Sequence, residues 1–276
     1  MQSSRPTPAN SREPLSSNTQ ISRLVQLSSL PILVFLALPL VALLLRTSPA
    51  HFSEHLGNTQ VIQAISLSLF TTLVSTAITI LLGTPLAYAL ANHCFRYQRL
   101  IDTLIDLPLV LPPAVAGVAL LITFGRRGVV GMLLAPLGIE IAFTPLAVIM
   151  AQTFIAAPFY IKSARLGFAA IEPELEQAAG LDGANRWQIF RYVILPLSWM
   201  ALLSGSLMTW ARALGEFGAT IIFAGNFPGR TQTMPLAIYL GFELDLDVAL
   251  TLSVILMVFS FLALFLVKGI LEQERV

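Results

Sequence analysis

The stretch PELEQAAGLDGANRWQIFRYVILPLSWM, residues 173–200, is a polar segment inside a chain that is otherwise mostly apolar. Its charged side chains all precede residue 192, and the sequence becomes apolar again at 195–197. The whole chain of 276 residues is 56% hydrophobic and 11% charged, whereas soluble domains carry roughly 25% charged residues. We therefore predict a membrane protein in which this segment is a water-exposed interruption.

Charge and cysteine usage exclude several other classes. The formal net charge is +1, which gives no reason to expect a nucleic-acid partner. The single cysteine, Cys94, excludes an internal disulfide and a cysteine-cluster metal site. His51 and His55 have a spacing that could hold a metal, but no carboxylate motif accompanies them, so a solvated loop is preferred. We predict no catalytic residues, no metal and no cofactor.

Six apolar runs are each long enough to cross a bilayer, which takes about 20 residues of helix. The predicted spans are residues 27–45, 61–91, 103–124, 141–161, 195–217 and 248–270. Residues 1–25 are rich in polar residues and proline, so we predict a disordered cytoplasmic tail followed by a membrane domain of residues 26–276. Three prolines predict a kink in the third span. The predicted fold class is an all-α, polytopic membrane protein with six transmembrane helices.

The distribution of Lys and Arg predicts the orientation. With the N-terminus inside, the basic residues left outside are Arg46, Arg126, Arg127, Arg212 and Arg230. These are five of sixteen, so eleven lie in cytoplasmic segments, as the positive-inside rule requires. Both termini and the polar segment are then cytoplasmic.

Within the polar segment, the residue pattern predicts two short helices at about 172–179 and 184–194. Gly180 and Gly183 are expected to break the first helix, and Asp182 or Gly183 to cap the second. Ala178, Ala179 and Gly180 are expected at the bend, where their small side chains would let another protein approach the backbone closely. On these residues alone, an ordinary amphipathic cytoplasmic loop remains an equal alternative.

The spacing of small and apolar residues in the segment resembles a known motif. Gln177-Ala178-Ala179, three residues, Gly183, nine residues and then 193–196 (VILP) resemble the EAA motif of binding-protein-dependent ABC importer permeases, E-A-A-x3-G-x9-I-x-L-P. Gln177 and Val193 replace the usual Glu and Ile, and Glu176 can compensate for the missing carboxylate. The resemblance implies a coupling segment, residues 172–194, that docks on an ATPase subunit. Its site residues would be Glu176, Gln177, Ala178, Ala179, Gly183, Leu195 and Pro196.

The ATPase must be a different chain, because a P-loop requires G-x4-G-K-[ST]. The only lysines, Lys162 and Lys268, follow Ile161 and Val267, so the sequence contains no Gly-Lys pair. We therefore predict a transport subunit and not an enzyme.

A second resemblance covers TWARALGEFGATIIFAGNFPGRTQTMPLAIYLGFEL, residues 209–244. Its first part is similar to the sulfate and molybdate permease branch, and A-G-N-x-P-G-R-T-Q is most similar to the molybdate permeases. The resemblance implies the type I ABC importer permease fold in a bacterial inner membrane. It also implies a homodimer of permeases, two copies of the ATPase, and a periplasmic oxyanion-binding protein that delivers molybdate.

Arg212 and Glu216 are an ionisable pair four residues apart within a predicted span, where charge is costly unless it is paired or faces water. One interpretation is a salt bridge that fixes the helix end. The other places the pair at the pathway or gate, where Arg212 offers a positive field to an oxyanion. Gly215 and Gly218 would let helices approach or bend there.

The loop 224–247 is predicted to lie along the outer face, with a short helix near residues 234–240. Its carboxylates at 243, 245 and 247 are expected to be exposed, and either to contact the binding protein or to cap the sixth span.

Three alternatives follow from the same residues. A sulfate or tungstate permease would share both motifs. An intramembrane enzyme would need a nucleophile–base pair or a metal motif, and no predicted span contains His or H-E-x-x-H. A channel or secondary transporter would leave the polar segment unexplained.

Overall fold

The computed structural model describes residues 16–47, 52, 56–92 and 96–273, and all regular elements within these ranges are helical. The predicted all-α class is therefore confirmed. The helices are α1 (Ser16–Arg46), α2 (Thr59–Ala91), α3 (Gln98–Val110), α4 (Pro113–Phe124), α5 (Gly131–Leu134), α6 (Pro145–Ala169), α7 (Pro173–Leu181), α8 (Arg186–Ile189), α9 (Leu195–Leu197), α10 (Trp199–Leu214), α11 (Gly218–Phe223), α12 (Met234–Leu244) and α13 (Leu246–Gln273). A 3-10 turn at Ala135–Leu137 and a π-helical turn at Phe190–Ile194 complete the regular structure.

The chain forms two compact units, and the first ends with α1. Within α1 the window Leu27–Arg46 has a mean hydropathy of 2.5 and is long enough to cross a membrane. The helix begins at Ser16, so residues 16–25 are helical where the sequence predicted a disordered tail. Extending an existing helix fixes only one residue for each added hydrogen bond, which makes such an extension easy. Residues 1–15 of the predicted tail lie outside the described residues.

The second unit is organised around α6, which packs against both α2 and α10. Glycines make these contacts close. A Cβ on Gly83 of α2 would lie 3.0 Å from the Tyr160 ring, and one on Gly205 of α10 would lie 2.7 Å from Ser163 Cβ. Small residues at helix interfaces are typical of membrane bundles.

The two ends of α6 define two ends of this unit. At the N-terminal end, Phe143 N donates to Phe223 O at 3.2 Å. At the C-terminal end, a Cβ on Gly167 would lie 2.5 Å from Ala201 Cβ. The 25 residues of α6 separate the two ends by about 37 Å at 1.5 Å per residue.

Four described helices are long and apolar enough to cross a membrane, and the number reaches six if each of two bent pairs counts as one span. The four coincide with the predicted first, second, fourth and sixth spans and are Leu27–Arg46, Thr59–Ala91, Pro145–Ala169 and Leu246–Gly269. The bent pairs, α3 with α4 and the stretch Arg186–Leu197 with α10, occupy the predicted third and fifth spans.

The third predicted span is broken and not merely kinked, because α3 and α4 are bent by 116°. Leu111 and Pro112 between them have ψ angles of 133° and 132°. Each of these residues precedes a proline, and such residues are disfavoured in the helical region. Neither Pro112 nor Pro113 has an N–H to donate back into α3. Two consecutive prolines therefore end one helix and start another.

The fifth predicted span, residues 195–217, is interrupted near both ends. The stretch Arg186–Leu197 bends by 69° from α10 at Ser198, which is buried. α10 then ends at Leu214, and α11 begins only at Gly218. The prediction of one helix to residue 217 is therefore wrong. Glycine is a weak helix former, and Gly215 caps the end of α10.

In the loop 224–247 the turn at 227–230 is exposed, as expected for a surface segment, but residues 231–234 are at most 2% exposed. Two of their polar groups pair with α2, which lowers the cost of the burial, whereas Gln232 Nε2 and Thr233 Oγ1 are buried without a hydrogen-bond partner among the described residues. Met234 N donates to Ser68 Oγ at 2.7 Å, and Gln60 Nε2 donates to Gln232 Oε1 at 3.1 Å. The helix predicted near 234–240 is present as α12.

The capping role predicted for the acidic end of this loop is confirmed. Asp245 Oδ1 accepts hydrogen bonds from Asp247 N at 3.1 Å and from Val248 N at 3.2 Å, at the start of α13. Glu243 and Asp245 are exposed, as predicted, whereas Asp247 is half-buried.

Candidate functional site

The polar segment folds into an elbow, residues 173–197, in which α7 and the stretch Arg186–Leu197 meet at Gly183. Ala184 N donates to Ala179 O and Gly183 N donates to Gly180 O, each at 3.1 Å, which is the Schellman pattern of a helix end. Gly183 has a φ of 88°, a left-handed conformation that costs other residues about 1–2 kcal/mol. The fixed spacing from Ala179 to Gly183 therefore reflects how α7 ends.

The second arm of the elbow starts at Asn185 with a capping box. Gln188 N donates to Asn185 Oδ1 at 2.9 Å, and Asn185 N donates to Gln188 Oε1 at 2.8 Å. The predicted caps, Asp182 or Gly183, are therefore wrong, because the Schellman end of α7 uses both residues. Gly180 does not break α7 either, since the helix continues to Leu181, so the bend lies at Gly183 and not at Ala178, Ala179 and Gly180 as predicted.

The surface of the elbow is largely free within this chain. The predicted coupling residues Gln177, Ala178, Gly183, Leu195 and Pro196 are exposed, and Glu176 and Ala179 are half-buried. Leu181 is 89% exposed. A surface cleft of about 330 Å³ runs beside the bend and is lined by Asp182, Gly183, Ala184, Gln188, Tyr192 and Val193. This combination of small, polar and apolar groups suits docking by another protein.

An aromatic cluster attaches the elbow to the bundle. The Phe190 ring lies 5.1 Å from Tyr88 of α2, 6.3 Å from Phe168 of α6 and 5.8 Å from Trp187 of the elbow, centroid to centroid. Tyr88 and Phe168 also contact each other edge to face at 5.7 Å. Sequence reasoning missed Tyr88 and Phe168, whose only signal was an aromatic residue near the end of a predicted span.

The backbone at Phe190 is unusual. Phe190–Ile194 form a π-helical turn, and Ile194 points into the core with 1% exposure. Such turns are rare and often occur at functional positions. The aromatic cluster therefore sits where the elbow changes its helical geometry.

Two ion pairs also connect elements near the C-terminal end of α6. Arg165 Nη1 lies 2.5 Å from Asp102 Oδ1, and Lys162 Nζ lies 2.8 Å from Asp106 Oδ1, so α3 is tied to α6 twice. Neither pair was predicted from the sequence, because the partners lie about 60 residues apart in the chain. Because all four side chains are about one-third to one-half exposed, each pair is expected to contribute about 1 kcal/mol or less.

The salt-bridge interpretation of Arg212 and Glu216 is confirmed. Glu216 is 1% exposed, and its Oε2 accepts from Arg212 Nη1 at 3.0 Å. Its Oε1 accepts from Ala219 N at 2.8 Å, so the carboxylate also holds the start of α11. The Arg212 side chain keeps 32% exposure. Both oxygens of the buried Glu216 carboxylate thus accept hydrogen bonds, while the Arg212 side chain stays partly exposed.

Gly218 and Gly215 play different roles. A Cβ on Gly218 would lie 2.7 Å from Pro113 Cβ, so this glycine allows α11 to approach the start of α4, as predicted. A Cβ on Gly215 would lie 4.0 Å from its nearest neighbour, Ala211 O, so Gly215 ends α10 without a close approach of another helix.

Residues 80–273 match the family of binding-protein-dependent transport system inner membrane components. Over 240 residues the chain is 41% identical to the molybdenum transport system permease protein ModB of Mycobacterium tuberculosis, covering 87% of this chain and 91% of that protein. Over 242 residues it is 34% identical to the sulfate transport system permease protein CysT of Escherichia coli, covering 86% of this chain and 87% of that protein.

Among solved structures, the chain resembles a bacterial ABC transporter involved in the import of the acidic polysaccharide alginate. The TM-score is 0.71 at 19% identity, covering 95% of this chain and 99% of the other. At this identity the likeness concerns the fold, and it confirms the predicted type I ABC importer permease fold.

The buried Arg212–Glu216 pair is expected to stabilise the fold. Arg212→Met should lower stability by roughly 3 kcal/mol, because it leaves the Glu216 carboxylate buried without its cation. Arg212→Met/Glu216→Gln should lose less, because glutamine keeps an acceptor for Ala219 N and carries no charge. The midpoint of thermal unfolding of the detergent-purified protein measures both.

Arg126→Met is the matched control for this test. It breaks the pair with Glu140, whose side chains are 81% and 61% exposed, and should change stability by less than about 1 kcal/mol. Equal losses in the single and double variants at Arg212 would contradict the assignment of a buried, charge-dependent pair.

Proposed function

Because this chain belongs to the family of binding-protein-dependent transport system inner membrane components, we propose that it is the membrane-spanning permease subunit of an ATP-driven molybdate importer. A periplasmic oxyanion-binding protein delivers the substrate, and a separate ATPase supplies the driving force. The observation that carries the proposal is the 41% identity to a molybdenum permease over 87% of the chain. A sulfate or tungstate permease is the second candidate, favoured by the 34% identity to a sulfate permease.

The transporter contains two copies of this chain, two ATPase subunits and one binding protein. Both termini and the elbow lie in the cytoplasm, in line with the excess of basic residues there. The exposed elbow surface supports docking of the ATPase at Ala178, Ala179 and Gly183. Because the chain has no Gly-Lys pair, ATP binds to the partner and not to this subunit.

The coupling mechanism follows from these contacts. ATP binding draws the two ATPases together, and the motion enters through the elbow. Phe190 passes it to the ends of α2 and α6 through Tyr88 and Phe168. The bundle then alternates between inward and outward openings as packed units move.

Arg212 and Glu216 lie beside the pathway, at the break between α10 and α11 that also contains Gly215 and Gly218. The Arg212 guanidinium keeps partial exposure and offers a positive field to a passing dianion. Glu216 partly neutralises the charge of Arg212, so the oxyanion is attracted to this position but is not bound tightly there.

Coupling is tested by Gly183→Val. No atom lies within 4 Å of a Cβ at either Gly183 or Gly180, but only Gly183 has a positive φ. The variant should insert into the membrane normally and lose most molybdate uptake per ATP hydrolysed, because valine strains the bend of the elbow. Gly180→Val is the matched control, since helical backbone accepts valine. Normal coupling in Gly183→Val would count against the role of the elbow.

The substrate is tested in vesicles that contain the permease, its ATPase and the binding protein. ATP-dependent uptake of labelled molybdate should be competed strongly by unlabelled molybdate and weakly by sulfate. Stronger competition by sulfate than by molybdate would assign the transporter to sulfate. Competition by unlabelled tungstate, measured in the same way, tests the tungstate permease alternative.

A further inference from the structure

Two adjacent arginines occupy the tip of a tight turn between α4 and α5, residues 125–128, which we call the arginine turn. Gly128 N donates to Gly125 O at 2.7 Å, which closes the turn around Arg126 and Arg127. Both arginine side chains are exposed. In the predicted topology both lie on the outer side, against the usual bias of basic residues toward the cytoplasm.

The backbone of the arginine turn is held firmly. Val130 N donates to Thr123 O at 2.8 Å and Val129 N donates to Ile122 O at 3.3 Å, so the chain folds back on the end of α4. A Cβ on Gly131 would lie 1.8 Å from Gly125 O, which means that only glycine allows this approach. The two arginines are therefore presented by a preorganised backbone.

The charge of the turn is largely uncompensated. Arg126 Nε lies 3.3 Å from Glu140 Oε1, but both side chains are mostly exposed, at 81% and 61%, so water screens the pair. Arg127 has no ion pair in the described part of the chain. Arginine forks favour bidentate pairing with carboxylates, so the turn offers a specific contact for an acidic group.

The arginine turn lies at the opposite end of the bundle from the elbow. The Phe124 ring lies 6.4 Å from that of Phe223, and Phe223 O accepts from Phe143 N at the N-terminal end of α6. The elbow adjoins the C-terminal end of α6, where Phe168 contacts Phe190. If the elbow meets the ATPase inside, the arginine turn faces the binding protein outside.

We propose that the arginine turn is a docking contact for an acidic surface patch of the binding protein. The inference rests on the proposed function, because it takes the elbow as cytoplasmic. Exposed charges at the rim of an interface mainly change how fast and how tightly partners associate. The turn therefore sets the concentration of binding protein at which transport is half-maximal, and it leaves the maximal rate unchanged.

The test measures ATP-dependent uptake in proteoliposomes against the concentration of purified binding protein. Arg126→Glu/Arg127→Glu should raise the half-saturating concentration about tenfold at low salt and less at high salt, with the maximal rate unchanged. Glu140→Gln should lower it, because it frees Arg126 for the partner. Arg127→Gln should shift it more than Arg230→Gln, which removes the same charge from an exposed residue at the same end of the bundle.

Three results would overturn the proposal. The first is an unchanged half-saturating concentration, and the second is an equal shift in Arg230→Gln, which would indicate a diffuse field. The third is a shift that occurs only in liposomes with anionic lipid, which would make the turn a lipid anchor. If the wild-type complex transports no molybdate, the proposed function fails separately, and co-sedimentation of the binding protein with the same liposomes still tests the contact.

Discussion

The contact of the Phe190 ring with Tyr88 and Phe168 is the interaction on which the proposed coupling mechanism depends. It connects the elbow to both α2 and α6, at ring distances of 5.1 and 6.3 Å. Since α6 also packs against α10, the proposed displacement of the elbow would reach three of the main helices of the second unit. Packed interiors have little free volume, so such a contact transmits movement instead of absorbing it.

A second constraint shapes the rest of the bundle, because backbone groups at membrane depth must be satisfied within the protein. The break between α10 and α11 meets it through Glu216, which accepts from Ala219 N and from Arg212. At the break between α3 and α4, fewer backbone groups need a partner, because Pro112 and Pro113 have no N–H. The same irregular positions that could line a pathway are therefore stable parts of the fold.

The sequence predicted whatever depends on local pattern. Apolar run lengths located the long helices, and the spacing from Ala179 to Gly183 marks the end of α7. The small residues 178–180, where the bend was predicted, lie within that helix. What it could not predict depends on partners distant in the chain. Residues 231–234 look like a solvated loop, and their burial depends on distant partners that include Ser68 and Gln60 on α2. The aromatic cluster and the size of the bend at Pro112 depend on such tertiary contacts too.

The proposed ATPase and binding-protein contacts require the elbow and the arginine turn to face opposite sides of the membrane, and single-cysteine labelling tests this most directly. Cys94→Ser would remove the one native cysteine, and Ala184→Cys and Arg127→Cys would then be introduced separately. A membrane-impermeant maleimide should label the cysteine at position 184 only in inside-out vesicles and that at 127 only in right-side-out vesicles. Labelling of both from the same side, or of position 184 from outside, would contradict the account.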